Sequence, residues 1–463
     1  MPANTSAHVM LSLDDKNRKW WILVAMGGVV GLILLDETVV GVALPSVKRD
    51  LGLSEVAAHW VINAYLLVFA GLAAAAGKLG DVVGLKRLFI LGVVIFGLAS
   101  LAAGFAQDGL WIIAARAIQG IGAAVIFPAS MAMVTIAFPK EKRGLALGIY
   151  GAIGTVFLAL GPLVGGFLTD FYSWRWIFWI NPPISAGIAL MVGFAWVDPP
   201  REEAAARFDY LGLILLVSGL GLFVFALMQG PEWGWSEPAI VALLIAGLAL
   251  LATFVLVERR IASPLIDVDL FDSATFSACN LVVFAAQFSK IAVIVFGAIY
   301  LQNSLHMTPL EAGLALVAAV GPAPFTATLS GRLADRVGER IPTLAGLAAA
   351  GLALLWIGFA VVWDNYWLLF PALLIWGGAS PFLFMPPQRA IMNAVPVSKQ
   401  GQAGGIAMTS QLLGGTIGMA VCGTLFVMTN DFRVVILATA GLMLAILLIG
   451  WLTIKRGTNV TSR

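Results

Sequence analysis

Four ionisable residues, Asp36, Glu37, Arg116 and Lys290, stand inside long apolar stretches of the sequence. A buried carboxyl group can carry a proton, and an arginine can bind a carboxylate through two hydrogen bonds, so these residue types suit proton transfer and ion pairing. Each of them costs roughly 2.5 to 3.5 kcal/mol at the centre of a membrane span. We therefore treat all four as candidate functional groups.

The elements that must position these residues are fourteen apolar stretches of about 20 residues, the length of helix that crosses a bilayer. Hydrophobic residues make up 60% of the 463-residue chain and charged residues 11%, a balance that lipid solvates and water does not. The sequence predicts an all-α polytopic membrane protein. Cys279 and Cys422 stand alone in two of the stretches, so we expect no disulfide framework and no metal site.

The placement of positive charge predicts the topology of the chain. Most of the 27 Lys and Arg residues fall in the two tails and in every second loop, which indicates a multi-pass protein of a cell membrane, of the bacterial inner-membrane type, with both termini cytoplasmic. Two charged, proline-bearing linkers divide the spans into six, two and six. The predicted segments are a tail at 1–19, a six-helix bundle at 20–197, linkers with two extra membrane helices at 198–273, a second six-helix bundle at 274–454 and a tail at 455–463.

One motif occurs twice, after spans two and ten. The copies read GKLGDVVGLKR from Gly77 to Arg87 and GRLADRVGER from Gly331 to Arg340. Because each copy follows the second helix of a group of six, the motif predicts two related bundles, and its acids beside basic residues suit a latch. Anchoring of the topology by loop charge is the alternative. The gating positions are Gly77, Asp81, Gly84 and Arg87 in the first copy and Gly331, Asp335, Arg336 and Gly338 in the second.

These loops resemble a signature of the major facilitator superfamily, and four further segments resemble its fourteen-span branch of drug:proton antiporters. The four segments are 35–45, 116–124, 161–166 and 174–182. The resemblance implies the major facilitator fold, with two six-helix bundles plus two extra central helices, and it implies export in exchange for protons. It also assigns gating and packing to an antiporter motif, Gly161, Pro162, Gly165 and Gly166.

The sequence departs from the family pattern at three places. Val82 stands where the first loop copy should carry a basic residue, and Phe157 stands where the antiporter motif has a glycine. Glu37 adds a second acid beside Asp36. Pro162 removes one backbone hydrogen bond and lets span five bend, although a simple packing kink is the alternative. The departures concern gating and coupling rather than the class of protein.

We expect Asp36 and Arg116 to meet, because both lie at similar depth in the outer half of antiparallel spans. Gln119, three residues after Arg116, lies one turn deeper on nearly the same face. Adjacent residues point about 100° apart on a helix, so we expect only one of Asp36 and Glu37 to face the cavity. The resemblance favours Asp36 as the proton carrier. A static ion pair that orients spans one and four is the alternative.

Lys290 lies near the middle of span nine, too deep to reach an interface. It either contacts an anionic substrate group or pairs with an acid across the cavity. The polar residues expected to line that cavity with it are Gln119, Gln287, Asn63 and Gln411. The chain has three histidines, none of which is expected to carry protons at depth, because they lie in the tail or near outer span ends: His8, His59 and His306.

The predicted function is a proton-coupled secondary transporter that exports small amphipathic or lipophilic compounds by alternating access. No ATP-binding loop and no soluble domain is present in the sequence, so we expect an ion gradient or the substrate's own gradient to drive transport. We expect no enzyme activity, no cofactor, no nucleic-acid partner and a monomeric chain, with small molecules, protons and the lipid bilayer as partners. The alternative is an exporter or exchanger of one metabolite, such as an amino acid, an organic acid or a siderophore.

Overall fold

A computed structural model describes residues 15–139, 142–198, 209–261, 264–396 and 399–454. Fourteen helices in these residues are long and apolar enough to cross a membrane, which confirms the predicted number of spans and the all-α fold class. The predicted tail at 455–463 lies outside the described residues, as do most of the tail at 1–19 and most of the linker after 197.

Short turns make successive helices alternate in direction. Their bounds are α1 (Asp15–Leu51), α2 (Glu55–Val83), α3 (Leu85–Gly104), α4 (Gly109–Ala137), α5 (Arg143–Phe171), α6 (Trp176–Ala195), α7 (Tyr210–Trp233), α8 (Pro238–Glu258), α9 (Ala274–Asn303), α10 (Pro309–Val337), α11 (Arg340–Trp363), α12 (Tyr366–Asn393), α13 (Gln400–Thr429) and α14 (Phe432–Thr453). Within α9 one turn is π-helical, from Ala292 to Phe296, and α10 is interrupted at Gly321 and Pro322.

Two groups of six helices pack in the same pattern. In α1–α6, the first bundle, α1 packs on α5, α2 on α4, and α3 on α4 and α6. In α9–α14, the second bundle, α9 packs on α13, α10 on α12, and α11 on α12 and α14. The bundles meet along three seams, which are α1 with α9, α2 with α13 and α5 with α10. The extra helix α7 packs on α8 and lies against both α2 and α13, so it covers one seam from outside.

Both copies of the repeated motif end a helix at a glycine. Helix α2 continues to Val83 and α10 to Val337, and then Gly84 (φ 99°) and Gly338 (φ 79°) turn the chain in the left-handed region that favours glycine. The motif therefore lies mainly in the last turns of a helix and not in a loop, because nothing before the glycine breaks the helix. We call this end of the protein the motif end and the opposite end the far end.

The seam between α5 and α10 is closed at the far end and open at the motif end. Near the far end, a methyl group added at Gly313 would overlap the carbonyl oxygen of Pro162. The same face of α5 carries Gly151 and Gly148 toward the motif end, and α10 carries Gly331 there. A methyl group at any of these three would meet nothing within 4 Å. The bundles thus touch at the far end and diverge along this seam toward the motif end.

Candidate functional site

Asp36 lies at the centre of a buried hydrogen-bond network within the first bundle. Its Oδ2 accepts from Arg116 Nη1 at 2.6 Å, and its Oδ1 accepts from Gln119 Nε2 at 3.0 Å and from Asn181 Nδ2 at 3.2 Å. Arg116 Nη1 also donates to Gln119 Oε1 at 2.7 Å, and Asn181 donates to Ser100 Oγ at 2.9 Å. We call these five residues the Asp36 network. The carboxylate of Asp36 thus accepts hydrogen bonds from one charged donor and two amide donors.

Helix α2 holds Arg116 from a second side. Arg116 Nε donates to the carbonyl oxygen of Val61 at 3.0 Å, and the guanidinium carbon lies 4.4 Å from the centre of the Tyr65 ring. The two helices can approach this closely because α4 presents Gly120, where a methyl group would lie 2.6 Å from the carbonyl oxygen of Tyr65. The expected contact between Asp36 and Arg116 is thus present, and helices of one bundle supply all of its partners.

Glu37 points the other way, into the seam between α1 and α9. Lys290 Nζ lies 2.9 Å from Glu37 Oε1, and Gln287 Nε2 donates to the same oxygen. Both charged side chains are 9% exposed, compared with 1% for Asp36 and Arg116. We call Glu37 and Lys290 the bridging pair, because they join the first bundle to the second. Of the two arrangements expected for Lys290, pairing with an acid is the one in this structure.

The bundles close on the far side of the bridging pair. One turn beyond Glu37, a methyl group at Gly41 would lie 3.3 Å from Val295 Cγ2 on α9. A little farther along the seam, Gln302 Nε2 donates to the carbonyl oxygen of Val42 at 2.8 Å. The bridging pair therefore lies just inside the contacts that shut the far end.

The remaining residues expected in the cavity have separate places. Asn63 is fully buried on α2, and neither polar atom of its amide has a hydrogen-bond partner within the described ranges. Gln411 is half-buried on α13. Gln119 belongs to the Asp36 network, and Gln287 donates a hydrogen bond to Glu37 of the bridging pair. The lining of a substrate cavity by these residues stays a prediction.

The latch positions lie at the motif end, away from both acids. Asp335 pairs with Arg389 of α12, a helix of its own bundle. Arg87 and Arg336 are exposed, and the surroundings of Gly77 and of the Asp81 side chain are not described by the structure. The contact of Asp335 is thus within one bundle, and a latch between the two bundles stays a prediction.

The sequence did not single out several residues that the structure brings to these sites. Asn181 was within a segment that resembles the family, and its amide beside a proline was the one available signal. Ser100 and Tyr65 gave none, because a lone hydroxyl on an apolar helix has no distinctive pattern. His59 was expected near an outer span end, which is its position, but its near-complete burial between the bundles was not foreseen.

The chain is similar to known transporters over nearly its whole length. The family model described as Major Facilitator Superfamily matches residues 26–276 and 278–463. The puromycin resistance protein pur8 of Streptomyces alboniger is 36% identical over 412 residues, which cover 88% of this chain and 82% of that protein. The methyl viologen resistance protein SmvA of Salmonella typhimurium is 32% identical over 429 residues, which cover 92% of this chain and 86% of that protein.

One further relative and one solved structure are also similar to this chain. The multidrug resistance protein Stp of Mycobacterium tuberculosis is 33% identical over 403 residues, which cover 87% of this chain and 75% of that protein. A solved bacterial homolog of the human lysosomal transporter Spinster, inward-facing and occupied, has a TM-score of 0.69 at 16% identity, with 94% of this chain and 97% of that chain covered. At 16% identity, the similarity to this solved structure shows the fold alone.

Proposed function

The chain belongs to the Major Facilitator Superfamily, and from this membership we propose that it is a proton-coupled secondary transporter that exports small amphipathic or lipophilic compounds. It is a multi-pass membrane protein and a transporter rather than an enzyme. The relatives are named for resistance to puromycin, to methyl viologen and to multiple drugs, which are chemically different compounds, and this supports export of foreign molecules. We place the motif end in the cytoplasm, because positive charge collects there.

The observation that carries the proposal is the bridging pair. Glu37 and Lys290 belong to different bundles, and the 2.9 Å contact between them lies just inside the closed far end. In a transporter that works by alternating access, the two bundles rock against each other about the centre of the membrane. A contact across their seam in the far half is therefore made in one state and lost in the other.

This change of partner gives Glu37 the chemistry of a proton carrier. When the far end opens, α1 and α9 separate there and the carboxylate loses its counter-charge. An unpaired carboxylate in a protein interior costs several kcal/mol, and binding a proton from the far side removes that cost. Closure returns the ammonium of Lys290 and releases the proton toward the motif end. One proton then moves inward in each cycle that carries a compound outward.

The Asp36 network has a different proposed role. Among the described residues, the hydrogen bonds and the ion pair of Asp36 all stay inside the first bundle, so rocking of the bundles leaves Arg116, Gln119 and Asn181 in place. The network fixes the rotation of α1 about its axis and thereby aims Glu37 at α9. We therefore assign the proton to Glu37 and the positioning of α1 to Asp36, the reverse of the assignment that the family resemblance favours.

The proposed function is tested with purified protein in liposomes under an imposed pH gradient. Ethidium, methyl viologen and puromycin are added singly, and the pH inside the liposomes is followed with a fluorescent dye. We expect compound-dependent proton flux with more than one of the three. The multidrug proposal would be overturned if none of the three compounds gives proton flux and a single amino acid, organic acid or siderophore does. That result would indicate a dedicated exporter.

A further inference from the structure

We propose that His59 is a second proton-binding site, and that a proton bound there opens the far end when the far side is acidic. The inference rests on the proposed alternation between two states. It adds a titrating group that lies outside both ion pairs and that controls which state is populated.

His59 fills the α2–α13 seam near the far end. It belongs to the first bundle and is 1% exposed, yet the rings it contacts belong to the second. Its ring centre lies 5.2 Å from that of Phe296 on α9 and 6.4 Å from that of Phe426 on α13. A methyl group at Gly423 of α13 would lie 2.8 Å from Nδ1. The imidazole must therefore leave this pocket whenever the seam opens.

The pocket suits the neutral form of the imidazole. Nε2 of His59 has no hydrogen-bond partner in the part of the chain that the structure describes. A buried polar atom without a partner costs about 1 to 3 kcal/mol, and a buried charge without one costs more. An imidazolium would bring a full charge and two N–H donors into a site where Nε2 has no acceptor among the described residues. The protonated form is therefore favoured by the open seam, where water reaches it.

The carboxylate nearest to His59 along α2 is Glu55, one turn before it, and among the described residues it is already paired with Lys48. On α1 the facing charge is Lys48, a cation already paired with Glu55 at the start of α2. On α9 the nearest charged residue along the helix is Lys290, which is held in the bridging pair. Helix α13 carries no charged residue in its sequence, and its one thiol, Cys422, bonds with a threonine of α14. Helix α7, which covers this seam, carries one charged residue in its sequence, Glu232, and that side chain is exposed. Among the described residues, the closed seam thus has no buried, unpaired carboxylate beside the imidazole.

A crevice at the far end lies beside the start of α2, close to His59 in the sequence. A crevice of about 280 Å³ opens between the bundles at the far end, and its lining includes Arg49, Glu55, Ala58 and Asn303. Ala58 precedes His59 in α2. The crevice therefore borders the residue next to His59 in α2, while the imidazole itself is buried in the closed seam.

The seam holds further polar groups that only its opening can hydrate. Asn63 follows His59 by one turn on the same face of α2, and both polar atoms of its amide are buried without a partner within the described ranges. On α13, Thr416 shares the face of Gly423, and its buried hydroxyl also has no partner there. Water entering an open seam would meet both groups, which lowers the cost of separating the bundles along it.

The consequence is a far end whose opening responds to far-side pH. A group that binds a proton in one of two states shifts their ratio by up to about tenfold per pH unit. Acid on the far side, which is the direction of the driving gradient, therefore raises the population in which Glu37 can be loaded. His59 would act as a gate and Glu37 as the carrier.

The test measures far-end opening without any transported compound. Spin labels at Leu110 and Met428, exposed positions on different bundles at the far end, report the distance between the bundles by pulsed electron resonance in nanodiscs, with Cys279 and Cys422 replaced by alanine. Glu37→Gln removes the first titrating group. We expect this variant to retain a far-open population that grows on acidification between about pH 7 and pH 5, by up to about tenfold per unit.

Adding His59→Gln to that background removes the second group, and we expect the remaining pH dependence to disappear. His59→Phe, which keeps an aromatic ring in the pocket, should give the same flat profile and shows that the effect is not one of packing. An unchanged pH profile in both double variants would overturn the proposal for His59. A far end that stays closed in the wild type, at every pH and with ethidium present, would instead contradict alternating access and hence the proposed function.

Discussion

Two ion pairs built from neighbouring residues of one helix differ in which parts of the molecule they join. Asp36 pairs with Arg116 inside the first bundle, where both side chains are 1% exposed and amide groups complete the shell. Glu37 pairs with Lys290 across the seam to the second bundle, and both side chains are 9% exposed. Depth and residue type are nearly the same for the two acids. The difference lies in whether the partner moves with the acid.

The rotation of α1 about its own axis accounts for this difference. Residues 36 and 37 point about 100° apart on α1, so one faces α4 and the other faces α9. A fully satisfied ion pair within a rigid bundle fixes geometry, whereas a pair across a moving seam can be exchanged for a proton. Whether a buried acid in a transporter carries a proton or only fixes geometry is therefore inferred from the location of its partner rather than from its own burial.

The largest effect is expected at the bridging pair. Replacing Lys290 by methionine leaves Glu37 without its counter-charge in both states, so the carboxyl group holds its proton throughout the cycle. Compound-driven proton flux in liposomes should fall to that of empty liposomes. Glu37→Gln/Lys290→Met should lose coupling to the same extent as either single change, because the two residues act as a unit. Compound-driven proton flux that persists in Lys290→Met would contradict the role of the bridging pair.

The next effect concerns stability and belongs to the Asp36 network. Arg116→Met leaves a fully buried carboxylate with amide donors alone, and removal of one partner of a buried pair costs about 3 to 5 kcal/mol. Thermal unfolding of the detergent-purified protein should occur at a clearly lower temperature than for Lys290→Met. Asp36→Asn added to Arg116→Met should recover part of the loss. Equal destabilisation by Arg116→Met and Lys290→Met would remove the distinction between the two pairs.

A smaller effect is expected from glycines on one face of α5. A methyl group at Gly166 would overlap the backbone of α10 at Pro309, whereas one at Gly148 meets nothing within 4 Å. Gly166→Ala should weaken closure of the far end by about 1 to 3 kcal/mol. It should also increase labelling by a membrane-impermeant thiol reagent at Val295→Cys, a position buried against α1 near the closed far end. Gly148→Ala is the matched control and should leave labelling unchanged. Similar labelling of the two variants would contradict the closed and open ends of this seam.

The smallest effects are expected from two asparagines. Asn181 donates to Asp36 and to Ser100, so Asn181→Ala should cost about 1 kcal/mol of stability without loss of proton coupling. Asn63 has no partner within the described ranges, so Asn63→Leu should leave the thermal stability unchanged or raise it. Thermal unfolding of both variants checks the order. A larger loss for Asn63→Leu would show that its amide is bonded in the closed state.

The sequence was sufficient for the fold and for part of the site. Span length and the bias of positive charge predict fourteen helices, and the repeated motif predicts two related bundles, which pack here in the same pattern. The contact of Asp36 with Arg116 followed from depth alone. Depth could not tell which of two adjacent acids faces which helix, because that depends on the rotation of α1. The Asp36 network and the packing of α1 on α5 set this rotation, and both exist only in the packed structure.

The burial of His59 is a second feature that the sequence alone does not predict. Its position near a span end was readable from the sequence, but its burial results from two helices, α2 and α13, that lie far apart along the chain. Some contacts between the bundles, such as that of Gly313 with Pro162, are formed by small residues without a polar signature. Such seams are therefore the part of the molecule that sequence patterns describe least, and they are also where both proposed proton sites lie.

The most direct test of the account compares uphill and downhill movement of ethidium, or of whichever probe proves to be transported, in liposomes that contain the Glu37→Gln variant. The account predicts that a pH gradient no longer drives accumulation against a concentration gradient, while downhill movement continues at a rate within about tenfold of the wild type, because the cavity and the Asp36 network remain intact. Uphill transport that persists in Glu37→Gln and is lost in Asp36→Asn would contradict the account and return the proton to Asp36.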